Sequence, residues 1–214
     1  MAKSRGKPYV WVTWMTRFIA GDAQCYWALW FRAHYTYEKR PDERAGNLSQ
    51  WKANHADMVR ARAAELREQG WTVFLEAQNK FTLRGKTALL GGAADIVAIK
   101  GMDALVVDCK TGQQRDSDYY QVLTYQLALP LCLPALKGKR LAGEVQYPNG
   151  RLAIAPEELN PETRKRLLDA IAKASATTAP ARTPSPRECA WCDIGKEDCP
   201  ARIEEEVAVE TALF

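Results

Sequence analysis

An α/β fold follows from three features of this 214-residue chain. Two apolar runs, Ala93 to Ile99 and Ala104 to Cys109, flank Lys100-Gly101-Met102-Asp103 and read as a β-hairpin. Upstream, Asn47 to Gln69 has the helical period: Trp51, His55, Val59, Ala63 and Leu66 recur in steps of four and three, with Met58 beside them. Downstream, Asp118 to Leu129 is helical in pattern and bounded by Pro130 and Pro134. Helices and strands interleaved in this way, over this length, make one ordinary domain, or one domain with a small appendage, around a sizeable core.

Taken in order, Met1 to Pro8 is basic and expected to be loose. Tyr9 to Phe18 is aromatic-rich, and Gly21-Asp22 reads as a helix stop followed by an N-cap. Cys25 then falls in the first turns of a short helix, CYWALWFRAHY, with Trp27, Trp30 and Phe31 near its apolar face. Glu38 to Gly46 is a charged connection to the long helix, which Asn47 or Ser49 caps and Gly70 ends; Arg60, Arg62 and Arg67 are expected to face outward. Trp71 to Leu75 and Lys80 to Leu83 read as strands entering the central hairpin. Lys139 to Tyr147 and Arg151 to Ile154, joined by Pro148-Asn149-Gly150, make a second hairpin, and Pro161 after Asn160 opens a helix to Ala172. The expected organisation is a core over 1–172, a flexible linker over 173–188, a cysteine cluster over 189–200 and an acidic tail over 201–214.

The central hairpin carries charges that its apolar context does not need. With Gly101-Met102 as a two-residue type II′ turn, residue 100 pairs with 103, 97 with 106 and 95 with 108. Asp95 then stands opposite Asp108, at a Cβ separation of about 4.5–5.5 Å where like charges destabilise a sheet. Lys110, two residues further on, points to the same face. Two acids among Val, Ile and Leu require a compensating partner, and the simplest is a divalent cation. Paired carboxylates holding one or two Mg²⁺ or Mn²⁺ ions, with a lysine beside them, suit metal-assisted phosphodiester hydrolysis. The plainer reading has Asp108 capping a turn and Lys110 in a surface ion pair; the register argues against it.

The formal charge is +4 overall; Ala201 to Phe214 sets Arg202 against Glu204, Glu205, Glu206 and Glu210, a balance of −3 that leaves +7 on the body. That lean favours polyanionic partners without identifying one. No apolar run is long enough to span a bilayer, and MAKSRGKPYVWVTWM lacks an apolar signal core, so a cytoplasmic location without a membrane partner is expected. In that reducing compartment the six cysteines are not expected to form structural disulfides. Cys189, Cys192 and Cys199 are clustered and read as metal ligands, with Cys25 able to supply a fourth thiolate. Cys109 and Cys132 lie in or beside apolar elements, where a thiol behaves as a small hydrophobe. Four thiolates suit tetrahedral zinc or an iron-sulfur cluster, and spacing alone does not choose.

Gly92-Ala93-Ala94-Asp95, then Asp108-Cys109-Lys110-Thr111-Gly112, then Gln121 and Tyr125 resemble, in order and spacing, the G-x-x-D, D-x-K-T-G and Q-x-x-x-Y signatures of RecB-like nucleases in the PD-(D/E)XK superfamily. The resemblance implies a central mixed sheet flanked by helices, with a cysteine-rich iron-sulfur appendage at the C-terminus. It implies Asp95 and Asp108 as metal ligands, the backbone carbonyl of Cys109 as a further ligand, and Lys110 as the catalytic lysine. Gln121 and Tyr125, four apart on one helical face, would act at the active site or on the DNA strand. His55 matches the histidine that these nucleases add to the metal shell, although its apolar stripe suits a packed core histidine as well. Glu76 matches an acidic position of the family.

The cysteine layout, one before the long helix and three near the C-terminus, resembles the iron-sulfur members: the CRISPR-associated exonuclease most of all, and the AddB-type recombination nucleases. It implies a [4Fe-4S] cluster on Cys25, Cys189, Cys192 and Cys199 that staples the two chain ends together, with zinc as the alternative. The implied function is a Mg²⁺- or Mn²⁺-dependent deoxyribonuclease, an exonuclease on single-stranded DNA ends in CRISPR adaptation or DNA recombination and repair. CRISPR integrase or helicase subunits would be partners, and Trp27, Trp30 or Tyr120 would stack on bases. A phage-borne relative outside CRISPR and a catalytically idle DNA-binding or assembly module are the alternatives. Leu213-Phe214 resembles the Leu-Phe-ended peptides that dock on bacterial sliding clamps, with Glu where Gln is preferred; a solvated terminus is the plainer reading.

Overall fold

The computed structural model describes residues 2–41 and 48–204. The first half holds β1 (Lys3–Ser4), β2 (Tyr9–Trp11), α1 (Val12–Ile19), α2 (Tyr26–His34), β3 (Tyr35–Thr36), α3 (Leu48–Glu68), β4 (Thr72–Leu75), β5 (Lys80–Arg84) and β6 (Leu89–Ala93). The second holds β7 (Ile96–Lys100), β8 (Asp103–Cys109), α4 (Asp116–Cys132), β9 (Arg140–Tyr147), β10 (Gly150–Ile154), α5 (Pro161–Ala174) and α6 (Pro186–Trp191). Five strands form the main sheet in the order β10, β9, β8, β7, β4; β8 and β9 run parallel, and the other neighbours are antiparallel. A second sheet of β2, β6 and β5 and a short ribbon of β1 with β3 complete the strands. The sheets are mixed and helices flank them, as expected.

The central hairpin has the expected register, Ile96 opposite Val107 and Lys100 opposite Asp103. Gly101 at φ +60° supplies the positive φ that a type II′ turn needs at its first position. Alternation along these strands divides the core into two layers. Ile96, Ala98, Val107 and Cys109 meet Val59, Ala63 and Leu66 of α3 on one face. Val97, Ala104 and Val106 share the larger cluster on the other face with Val122, Tyr125 and Leu129 of α4. The helix α4 is the crossover between the parallel strands β8 and β9. It sits close because β9 carries Gly143, where a Cβ would come 2.3 Å from Val122 Cγ1. Filling that space would cost about 1–3 kcal/mol.

Several local expectations are corrected. Ala93 belongs to β6, not to the hairpin: the chain crosses from the three-stranded to the five-stranded sheet at Ala94-Asp95. Pro130 lies inside the last turns of α4 instead of ending it; the helix runs on to Cys132. Gly21 stops α1 at φ +82°, but Cys25, not Asp22, is the N-cap of α2. Ser49 lies within α3 and so cannot cap it, and Asn47 falls outside the described residues. The second hairpin turns on Pro148-Asn149 alone, since Gly150 already pairs with Tyr147.

The largest correction concerns Arg62. Expected on the outside of α3, it is only 6% exposed. Its Nε and Nη2 donate to the two carboxylate oxygens of Glu144 on β9, at 2.7 and 2.8 Å. Arg62 lies three residues after Val59 and four before Leu66, so it borders the buried stripe, and a buried acid facing that stripe draws it inward. Trp51 departs the other way: the stripe places it with the core residues, yet it is 51% exposed.

Residues 175–185 have no regular structure but lie against α2. Trp30 Nε1 donates to Ala176 O at 2.8 Å, Thr183 Oγ1 to Gln24 O at 3.2 Å, and the Arg182 guanidinium sits 4.3 Å from the Trp27 ring centre. No helix among the described residues is long and apolar enough to cross a membrane.

Candidate functional site

The change of sheet at Ala94-Asp95 sets Asp95 at the end of the main sheet, one step beyond the last hairpin pair. Strand alternation would place its side chain on the α4 face beside Val97. Its carboxylate instead reaches α3: His55 Nε2 lies 3.3 Å from Asp95 Oδ2, and the same oxygen accepts the Cys109 N–H at 2.7 Å. Glu76 follows β4 and is tied to Asp95 through its own N–H, which donates to Asp95 O at 3.0 Å. One ligand atom from each of His55, Glu76 and Asp95 lies within 4.8 Å of the others. Glu76 has φ +26°, the only positive φ of a non-glycine residue among the described residues. Backbone strain at a residue whose carboxylate completes such a cluster is the kind that functional sites retain.

A second group lies on the α4 face. Asp108, 2% exposed, accepts a hydrogen bond from Gln121 Nε2 at 2.7 Å and has the Lys110 ammonium 2.7 Å from its Oδ2. Lys110 Nζ donates to Gln121 Oε1 at 2.9 Å, and Gln121 Nε2 also reaches Tyr125 Oη at 3.0 Å. Tyr125 in turn donates to Ala93 O at 2.9 Å, next to the strand crossing. The (i, i+4) pair on α4 thus orients the acid and the lysine, and fastens both to the segment that carries Asp95. The structure brings together His55, Glu76 and Asp95 in one group and Asp108, Lys110, Gln121 and Tyr125 in the other, with the Cys109 backbone between them. The expected face-to-face arrangement of the two acids is modified. Asp108 pairs with Lys110 while Asp95 turns toward α3, because the pleat that would hold Asp95 beside Asp108 ends with the strand.

The electrostatics follow from burial and proximity. Burial pushes the Asp108 carboxyl up to about 6, opposed by Lys110 and assisted by the charge of Asp95. His55 is raised above its ordinary value chiefly by the hydrogen bond to Asp95, with partial burial opposing. Burial acts to lower Lys110, yet Asp108 outweighs it and the ammonium is held more firmly charged. Asp108 Oδ2 is buried and has the Lys110 charge beside it but no aligned hydrogen-bond donor. A hard divalent cation takes oxygen ligands of this kind, with the His55 imidazole able to join them. A cleft of about 520 Å³, which begins at the residue after Lys110, opens between Thr111–Gln114 and Tyr147–Arg151.

The cysteines occupy a different region. Cys25, Cys189, Cys192 and Cys199 all line one cavity of about 320 Å³, and all are free. Cys109 packs under α3 and Cys132 ends α4, and neither lines it. Among the described residues no three cysteine sulfurs come within 4.8 Å of one another. The walls are held by residues that the cysteine spacing alone did not flag. Glu188 accepts the N–H groups of Gln24 and Cys25, at 3.0 and 3.1 Å. Arg202 donates to the carbonyls of Cys189, Cys192 and Ile194. Arg32 pairs with Asp193 at 2.8 Å and lies 3.6 Å from Cys192 Sγ. The only available signal was that these charged residues sit within a few positions of cysteines.

Two expected DNA-stacking residues are withdrawn. Trp27 is 4% and Trp30 8% exposed, both packed in the cluster around Phe31 and Ile194, so neither presents a face to a base. Tyr120 is half-buried beneath the Arg166 guanidinium, 5.1 Å from its ring centre. Leu213 and Phe214 lie outside the described residues.

A mixed sheet with an acid-lysine pair and a histidine-carboxylate cluster at one end belongs to a class in which nucleases are prominent. The family model of the PD-(D/E)XK nuclease superfamily matches residues 20–199. The chain belongs to that superfamily. Among solved structures, it is similar to the one described as "Crystal structure of SSO0001", with 13% identity, a TM-score of 0.50, and coverage of 94% of this chain and 91% of that one. At that identity the likeness speaks to the fold alone. No curated protein matches the sequence. The family implies phosphodiester hydrolysis of a nucleic acid, with a divalent metal as the typical cofactor.

Proposed function

We propose that this protein is a Mg²⁺- or Mn²⁺-dependent deoxyribonuclease acting as an exonuclease on single-stranded ends. The observation that carries the reading is the continuous chain of contacts from His55 through Asp95 and the Cys109 amide to Asp108, Lys110, Gln121 and Tyr125. His55, Asp95, Asp108 and the Cys109 carbonyl would hold the cation, with Glu76 as a further carboxylate within reach of His55 and Asp95. When bound, the cation lowers the pKa of a water and polarises the scissile phosphate. Lys110, kept charged by Asp108 and aimed by Gln121, neutralises charge developing on the phosphoryl oxygens. Gln121 and Tyr125 act as positioning residues. Digestion of end-labelled and circular single-stranded DNA with and without Mn²⁺ tests the reading. Metal-dependent loss of nucleotides from the linear strand alone is expected, and no metal-dependent cleavage of either would leave the idle-module alternative.

Cation binding should strengthen with pH. His55 ligates only when neutral and Asp108 only when ionised, and both hold protons more tightly than their free counterparts. For a raised folded-state pKa, the group's stabilisation is complete below its unfolded value and is lost as pH rises through the folded one. The metal-free protein therefore loses stability on Asp108 as pH rises from about 4 to about 6, and on His55 as pH rises through its raised value, and a bound cation in place of the protons would offset that loss. Mn²⁺ titrations by calorimetry are expected to show proton release near pH 6 and an affinity that rises with pH. An affinity independent of pH would contradict the ligand set.

The resemblance of the cysteine layout to that of iron-sulfur nucleases, with the four thiols lining one cavity, is the ground for a [4Fe-4S] group that would fasten the C-terminal appendage to the start of α2. Anaerobically purified protein is expected to be brown, with broad visible absorption lost in Cys189→Ala, whereas a colourless protein with stoichiometric zinc would select the alternative. The CRISPR-associated layout of these cysteines favours a role in CRISPR adaptation beside integrase or helicase subunits, with recombination and repair as the second setting.

A further inference from the structure

We propose that Trp51 is a stacking platform for an unpaired base of the DNA strand whose phosphate enters the site at His55, Glu76 and Asp95. The inference deepens the nuclease reading and rests on it. Trp51 stands one turn before His55 on α3, with ring centres 5.6 Å apart and planes inclined by 23°. The indole is thus stacked on the histidine of the cluster while 51% of the residue stays exposed. Leu48, one turn earlier, is 53% exposed and extends the same apolar patch, and exposed Lys52 adds positive charge beside it.

A lone exposed aromatic needs no explanation on a surface. This one is paired with an exposed leucine and placed against a metal-site imidazole, next to where a polyanion must pass. Trp27 and Trp30 are buried, so they cannot serve. An aromatic face binds any base, because every base has a π-face, and this sequence tolerance is what an enzyme degrading arbitrary strands requires. A base on Trp51 would bring its own phosphate toward His55, so stacking would fix the register of the strand at the cation.

The test uses the full chain with Trp51→Ala and Trp51→Phe, a labelled oligothymidylate and an abasic strand of the same length. Trp51→Ala is expected to raise KM for the thymidylate about tenfold or more, with Trp51→Phe near wild type and the abasic strand unaffected by either. Equal loss on both strands, or weakened Mn²⁺ binding in Trp51→Ala, would show that the indole only positions His55 and would overturn the proposal. Unchanged KM would do the same. Binding of the thymidylate to the Asp108→Asn background, read by anisotropy, separates the two readings. If wild-type protein cleaves nothing but Trp51→Ala still weakens binding tenfold, the nuclease reading fails and the stacking proposal stands.

Discussion

Lys110→Ala is expected to lower the rate of metal-dependent DNA cleavage by about 10²–10³-fold, the usual consequence of removing one group that stabilises transition-state charge. Asp108→Asn and Asp95→Asn should reduce it at least as far, since each removes a carboxylate proposed to hold the cation. The folds should survive. In Asp108→Asn, Lys110 loses its ion partner, but its side chain is 26% exposed and can turn to water. In Lys110→Ala, Asp108 can take up the proton that burial already favours. Gln121→Ala is a useful companion, because it removes the amide that touches both Asp108 and Lys110 but no charge. It should lower the rate by a smaller factor and move the acid limb of the pH profile, as Asp108 loses the hydrogen bond from Gln121. Initial rates on end-labelled single strands at saturating Mn²⁺, with thermal melts alongside, decide the matter. Wild-type rates in Lys110→Ala or Asp108→Asn would sink the assignment.

Removing Arg62 from its buried pair with Glu144 is expected to have the largest effect on stability. Both residues are under 9% exposed and are joined by two parallel hydrogen bonds, so Arg62→Ala leaves Glu144 as an uncompensated charge in the interior, at about 3–5 kcal/mol, while Glu144→Ala costs less because Arg62 keeps its ion pair with Glu65 at 2.9 Å. Arg62→Met with Glu144→Leu removes both charges and should recover most of that loss, because apolar replacement of a buried pair is often neutral. The consequence reaches the site. Arg62 lies seven residues after His55 on the same helix, so the pair fixes how α3 sits on the sheet and hence whether His55 meets Asp95. The single variants should therefore also weaken Mn²⁺ binding, while the double variant regains stability more fully than affinity. Urea unfolding and Mn²⁺ titration test both points. A cost below about 1 kcal/mol for Arg62→Ala would mean that water screens the pair as on a surface.

Much of the site was legible in the residues because its markers are local. The hairpin register followed from strand alternation and from one glycine able to hold φ +60°, and the (i, i+4) spacing of Gln121 and Tyr125 predicted a shared face. Of the four cysteines lining one cavity, three are close in sequence, and the resemblance to iron-sulfur nucleases implies Cys25 as the fourth. The readings that failed each depended on a partner far away in the chain. Nothing near Arg62 reveals that Glu144, 82 positions on, waits inside the fold. Nothing near Trp27 and Trp30 shows that residues after α5 cover them, or that Trp51 overhangs the core that its periodicity assigns it to.

By itself the sequence determined the α/β alternation, the register of the hairpin and the identity of the charged residues that converge at its end, because period, turn chemistry and spacing act over a few neighbours. Only the tertiary structure decided that Asp95 leaves its strand face for His55 and Glu76, that Asp108 is held by Lys110 and Gln121, and that an arginine is inside and a tryptophan outside. Those outcomes depend on where the chain passes from one sheet to the other and on which distant element then packs against it.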